Sequence, residues 1–142
     1  MRAGRRLFIT GASGTLGGPL SQQAAAAGWD VYAGYLSNPL GVWAGMPVQL
    51  DLRHPDRVRA TLVPLMPDVI IHAAVTERSG PGYDEAIRLA ARSIAETARE
   101  VGARLIALST DLVFDGMLPL YDESTLPRPS AGSVYGRAKR DA

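Results

Sequence analysis

At 142 residues the chain is long enough for one domain with a core of its own, and its 46% hydrophobic and 20% charged residues are ordinary globular values. Fifteen basic against fourteen acidic side chains leave a net charge of +1, which argues against a nucleic-acid or anionic-membrane surface, so Arg2, Arg5 and Arg6 read as a solvated start. The absence of cysteine excludes thiol chemistry, disulfides and cysteine metal ligands, and with only His54 and His72, far apart in sequence, no metal site is assigned.

Residues 6–10 form a short apolar run that meets glycine, as expected of a strand buried on both faces. The run is too short for a signal-peptide core, and no stretch has the length to cross a bilayer, so a cytoplasmic location is the default expectation. Residues 15–27 are alanine-rich and stop at Gly28, a helix end. Pro19 falls in the first turns of that helix, where it would remove a hydrogen bond if the helix starts early. Residues 30–35 read as a second strand and 48–52 as a third. A short helix over 57–63 is stopped by Pro64 and Pro67. Residues 69–72 make a fourth strand, and 83–101 a long helix with apolar residues at Ile87, Ala90, Ala91, Ile94, Ala98 and Val101. Residues 105–109 are the fifth strand. From Asp111 to Ser133 the chain turns irregular and proline-rich, with little local order expected, and a helix restarts near Val134.

Strands alternating with helices imply βαβ units and a parallel sheet. Right-handed crossovers then give a doubly wound α/β (Rossmann) fold with strand order 3-2-1-4-5, as a single nucleotide-binding domain over residues 1–142.

Thr10-Gly11-Ala12-Ser13-Gly14-Thr15-Leu16-Gly17 lies between the first strand and the first helix, where such a sheet places a phosphate. Gly11 can take the tight turn, Gly14 lets backbone approach a pyrophosphate, and Gly17 lets the helix pack against the strand. The spacing is G-x-x-G-x-x-G, and no G-K-[ST] follows, so it is not a P-loop. Farther on, Leu108-Ser109-Thr110-Asp111-Leu112-Val113-Phe114-Asp115-Gly116 leaves the carboxyl end of the fifth strand. Tyr135-Gly136-Arg137-Ala138-Lys139 then puts a phenol and an ammonium one helical turn apart on the same face. A nearby cation favours a phenolate, which suits a proton donor facing a carbonyl under reduction by hydride.

G-A-S-G-T-L-G, D-V-I-I-H-A-A, S-T-D-L-V-F-D-G, P-R-P and Y-G-R-A-K together resemble the extended short-chain dehydrogenase/reductases, and within them the dTDP-4-dehydrorhamnose reductase group. The resemblance runs the length of the chain and implies NAD(P)-dependent reduction of a nucleotide-linked 4-keto-6-deoxy sugar. It implies that Thr110 hydrogen-bonds the substrate carbonyl, that Tyr135 donates the proton, and that Lys139 holds the nicotinamide ribose and favours the tyrosinate. Gly11, Ser13, Gly14, Thr15, Leu16 and Gly17 would cradle the pyrophosphate, Asp51 and Leu52 line the adenine, and Ala73 and Ala74 lie along ribose and phosphate. Three departures stand out. His72 occupies a position where this group often has asparagine, and reads as a structural strand-end residue. Ile87 stands about where relatives keep an asparagine of a proton relay. Relatives also continue past the Tyr-Lys helix into a sugar-nucleotide domain, so the chain is expected to be the N-terminal part of a protein about twice as long, without its substrate domain. Past the second strand, Tyr35, Leu36, Ser37 and Asn38 include neither an acid nor an arginine. The missing acid leans the cofactor to NADP(H), with NAD(H) open, because Ser37 or Asn38 could bond a 2′-phosphate. Rival readings are a sugar-nucleotide epimerase or dehydratase that retains its cofactor, and a non-catalytic cofactor-binding regulatory subunit. A homodimer is left open.

Overall fold

The computed structural model describes residues 4–38, 44–75 and 80–142; Arg2 of the basic start lies outside them. Five strands, β1 (Arg6–Thr10), β2 (Asp30–Tyr35), β3 (Met46–Gln49), β4 (Val69–His72) and β5 (Arg104–Ala107), form one sheet in the order β3-β2-β1-β4-β5. Every pairing is parallel, so the expected doubly wound Rossmann-type sheet is the one observed. Helices α1 (Gly17–Ala26), α2 (Pro55–Leu65), α3 (Tyr83–Val101) and α4 (Val134–Arg140) complete it. Among the described residues no helix is long and apolar enough to cross a membrane.

β1 is central because its side chains are apolar on both faces. Phe8 packs with Val58 and Leu62 of α2 and with Ala90, Ile94 and Ala98 of α3. Leu7 and Ile9 point the other way, into a cluster with Val31, Ala33 and Ala24 of α1. Complete burial of Phe8, Ile9, Ile70 and Ile94 contributes about 1.5–3 kcal/mol apiece. This two-sided core holds the carboxyl ends of the strands level with one another, and the site is built there.

Several boundaries differ from those read in the sequence, each for a local reason. α1 begins at Gly17 rather than at residue 15, which makes Pro19 its third residue, where an N–H would have no partner within the helix. β3 lies two residues earlier than expected; it is an edge strand and so tolerates Pro47. Leu50 N–H closes its ladder on Tyr35 O at 2.8 Å. α2 starts on Pro55, a favoured first helical residue, and runs through Pro64 to Leu65. Pro64 forfeits only its own bond in the last turn, and Met66 N–H still reaches Leu62 O at 3.0 Å. β5 stops at Ala107 instead of residue 109 because its partner β4 ends; one last rung, Leu108 N–H to His72 O at 3.1 Å, follows.

The proline-rich stretch is also more ordered than its composition suggests. Asp115 Oδ1 accepts from Met117 N–H at 3.0 Å and from the Tyr121 hydroxyl at 2.9 Å, and Tyr121 stacks on Phe114 with centroids 4.3 Å apart. Asp122 Oδ1 gathers Ser124 N–H and the hydroxyls of Ser124 and Thr125. Short polar side chains bonding to nearby backbone supply the order that helix and sheet do not.

Candidate active site

The chain leaves β1 toward β2 on one side, while β4 flanks β1 on the other, and at this switch point an open parallel sheet leaves a crevice. A cleft of about 980 Å³ opens there. Gly11, Ser13, Gly14, Thr15, Leu16, Asp51, Leu52, Ala73, Ala74, Thr110, Tyr135 and Lys139 all line it. Of the site residues expected from sequence, Gly17 alone is not on its wall.

The glycines of the first loop divide their work. Gly11 has φ 71°, in the left-handed region, and a Cβ there would stand 2.7 Å from Ala74 Cα. Glycine therefore lets the loop after β1 touch the loop after β4. A Cβ on Gly17 would run into the Gly11 carbonyl oxygen and lie 2.8 Å from Ala12 Cα, which makes Gly17 the packing contact between α1 and the loop. At Gly14 the nearest atom to a Cβ is Gly11 O at 3.2 Å, and the rest of its surroundings is cleft. The N–H groups of Thr15 and Leu16 find no acceptor among the described residues. No acidic side chain lies in the first turn of α1. Open backbone, free donors and a helix N-terminus fit a pyrophosphate.

At the far end, Asp51 follows β3 and is gripped by Arg53, whose Nε and Nη2 donate to its carboxylate at 3.0 and 2.7 Å. These bonds hold the Asp51 carboxyl down at about 2, against a smaller opposing effect of burial. Arg53 itself lines the cleft, as do Tyr35 and Leu36.

Between the two ends, β1 and β4 are joined by side chains. Thr10 Oγ1 accepts the N–H of Ala74 at 3.0 Å and lies 2.8 Å from His72 Nδ1. Burial, with the Lys139 charge adding to it, pushes His72 down to about 4, so the ring is neutral near pH 7. His72 thus does have the structural strand-end place expected of it. In the sequence Thr10 reads as no more than the last residue of a strand; its one visible signal is a hydroxyl immediately before the glycine loop.

The third wall carries the polar chemistry. Thr110 opens a single 3-10 turn, Asp111–Val113; its hydroxyl donates to Asp111 Oδ1 at 3.1 Å and accepts Leu112 N–H at 3.3 Å. α4 is capped by Ser133 Oγ, which accepts Gly136 N–H at 2.9 Å. A Cβ on Gly136 would overlap the Leu112 carbonyl oxygen, so glycine between Tyr135 and Lys139 is what lets α4 dock on the segment carrying Thr110. Lys139 Nζ donates to Leu108 O at 2.7 Å, and half-burial lowers its pKa from the ordinary lysine value. A phenol, a hydroxyl and an ammonium therefore line one nucleotide-sized cleft, a set of groups suited to moving one proton to a carbonyl oxygen.

Comparison with known proteins agrees with this geometry. Residues 5–142 match the family described as RmlD substrate binding domain. A dTDP-4-dehydrorhamnose reductase from Mycobacterium tuberculosis is 39% identical over 122 residues, which cover 80% of this chain and 36% of that protein. The methionine adenosyltransferase 2 subunit beta of Xenopus tropicalis is 35% identical over 144 residues, covering 96% of this chain and 41% of that one. Among solved structures, dTDP-4-dehydrorhamnose reductase from Bacillus anthracis in complex with NADP superposes with a TM-score of 0.75 at 28% identity, over 97% of this chain and 47% of that one. The chain thus spans less than half the length of these relatives.

Proposed function

This chain belongs to the family of RmlD substrate binding domains, and from that membership we propose that it is the nucleotide-binding part of an NAD(P)-dependent reductase of a nucleotide-linked 4-keto-6-deoxy sugar. One observation carries the reading: Thr110, Tyr135 and Lys139 share a cleft with the glycine loop of Gly11 and Gly14, although they lie far from it in sequence.

Gly11, Gly14 and the amides of Thr15 and Leu16 would hold the pyrophosphate, with Gly17 fixing the loop from behind. Asp51 and Leu52 would flank the adenine, and Ala73 and Ala74 a ribose and phosphate of the cofactor. With its pyrophosphate on that loop, a reduced nicotinamide cofactor would supply the hydride that the ketone carbon takes up. Tyr135 gives its hydroxyl proton to the ketone oxygen, so the product is the alcohol and the phenolate is re-protonated from solvent. The ammonium of Lys139 steadies the phenolate meanwhile. Thr110 turns its hydroxyl from Asp111 to the carbonyl oxygen and orients it. The lack of an acid after β2 and the presence of Arg53 on the cleft wall favour NADP(H).

The test is oxidation of NADPH with a dTDP-linked 4-keto-6-deoxy sugar by the protein carrying this chain. Tight NADPH binding without turnover would overturn the reading. That result would favour a second one, a cofactor-binding subunit without turnover, which is supported by the match of nearly the whole chain to the Xenopus tropicalis protein named as a methionine adenosyltransferase subunit.

A further inference from the structure

Behind Lys139 the cleft floor opens into a recess of about 10 Å³, room for the centre of one water. Leu52, Val75, Ile87 and Ala90 make its walls apolar, and among the described residues the polar side chains that reach it are His72 and Lys139.

The hydrogen bonds around the recess fix what those two side chains can offer. Thr10 Oγ1 already accepts the Ala74 N–H. A hydroxyl has one proton to give, and among the described residues the group placed to take it is His72 Nδ1 at 2.8 Å. With Thr10 donating to Nδ1, the neutral ring carries its proton on Nε2. Lys139 spends one N–H on Leu108 O and has two more. His72 and Lys139, each with an N–H to spare, thus both line the recess, and among the described residues no other polar side chain does. Buried donors left unmatched are costly, and an oxygen with two lone pairs matches both.

We propose that the recess holds a single water accepting from His72 Nε2–H and Lys139 Nζ–H, and that His72, acting through this water, is a positioning residue for the ammonium at the cleft. Only the last clause rests on the reductase reading. The water and the tautomer belong to the cofactor-free chain.

The tautomer and the water are read by NMR on cofactor-free protein labelled with ¹⁵N-histidine, the His72 signals being those lost in His72→Asn. We expect Nε2 protonated, Nδ1 an acceptor, and a nuclear Overhauser contact between the Nε2 proton and a long-lived water. A proton on Nδ1, or a ring proton without a water contact, overturns the proposal. Calorimetric NADPH titration gives the second readout. His72→Leu removes the donor and should weaken binding by about tenfold, the effect of one lost buried bond. His72→Asn keeps an N–H and should bind within about threefold of the parent, a rescue that bulk packing alone does not produce. Equal binding by His72→Leu and the parent also overturns it. If His72→Leu fails to fold, the NMR result on the parent decides. Should the tautomer and water be found while turnover is absent, it is the reductase reading that has failed.

Discussion

Replacing Gly17 with alanine adds one methyl group at the contact between α1 and the loop it follows. That methyl would overlap the Gly11 carbonyl oxygen and stand 2.7 Å from its carbon, whereas ordinary contact begins near 3.4 Å. Each obstructing atom is backbone, so no rotamer change relieves the clash, and helix and loop must separate. Overpacking of this kind costs about 1–3 kcal/mol, and a site with no flexible neighbour belongs at the upper end. Alanine's better helix propensity returns up to about 1 kcal/mol, leaving roughly 2 kcal/mol, or about 4–8 °C in Tm for a domain of this size. The separation also drags Gly11 and the amides of Thr15 and Leu16 out of register, so NADPH affinity should fall with stability. Gly14→Val makes the contrast: its Cβ meets only Gly11 O at 3.2 Å and its methyls enter the cleft. Affinity should drop at least about tenfold, or 1.4 kcal/mol, while Tm stays near the parent's. Thermal melts and calorimetric titrations on the three proteins read both quantities. A Gly17→Ala protein with parental Tm and affinity would refute the packing argument, and Gly14→Val binding NADPH as the parent does would refute the cradle.

Tyr135→Phe should lower turnover by about two to four orders of magnitude with cofactor binding held; near-normal steady-state rates would move the proton-donor role to Thr110 or water. Gly136→Ala forces α4 off the Leu112 carbonyl, and should lower turnover without weakening the pyrophosphate grip; unchanged kcat would show that α4 docks by another route. His72 supplies the pH prediction. Its folded pKa of about 4 lies below the unfolded value near 6.5, so the unfolded state binds more protons between the two and stability is lost as pH falls through that window. The loss approaches about 3 kcal/mol by pH 4. Denaturant unfolding from pH 7 to 4 should show this decline in the parent and a flatter line in His72→Asn, since Asp51, held at about 2, titrates lower; matching slopes would exclude His72 as the source.

The parallel sheet was legible because strands buried on both faces are short apolar runs, and glycines or prolines punctuate them at Gly11, Gly28 and Gly102. Strand and helix ends were less so. Val48 and Leu50 are apolar wherever the strand stops, and the ladder is set by Tyr35 on a neighbouring strand. Tyr135 and Lys139 could be found from their spacing, which is local. The bond between Thr10 and His72 joins residues 62 positions apart and follows from strand pairing, so periodicity alone had no view of it. Arg53 carries no local signal because it follows β3 rather than β2, and only the folded chain brings that segment to the same wall as Tyr35 and Leu36.

β5 closes one side of the sheet with Ile106 42% exposed. An edge strand that shows apolar side chains beside open backbone groups can pair with a further strand, so the 142-residue chain by itself should associate as its concentration rises. Light scattering across a dilution series would display it. Ile106→Lys is the remedy that leaves the cleft untouched, because Ile106 is not among the residues lining it. For the 142-residue chain by itself, association along this rim and cofactor binding in the crevice at the strand ends are separate targets for substitution.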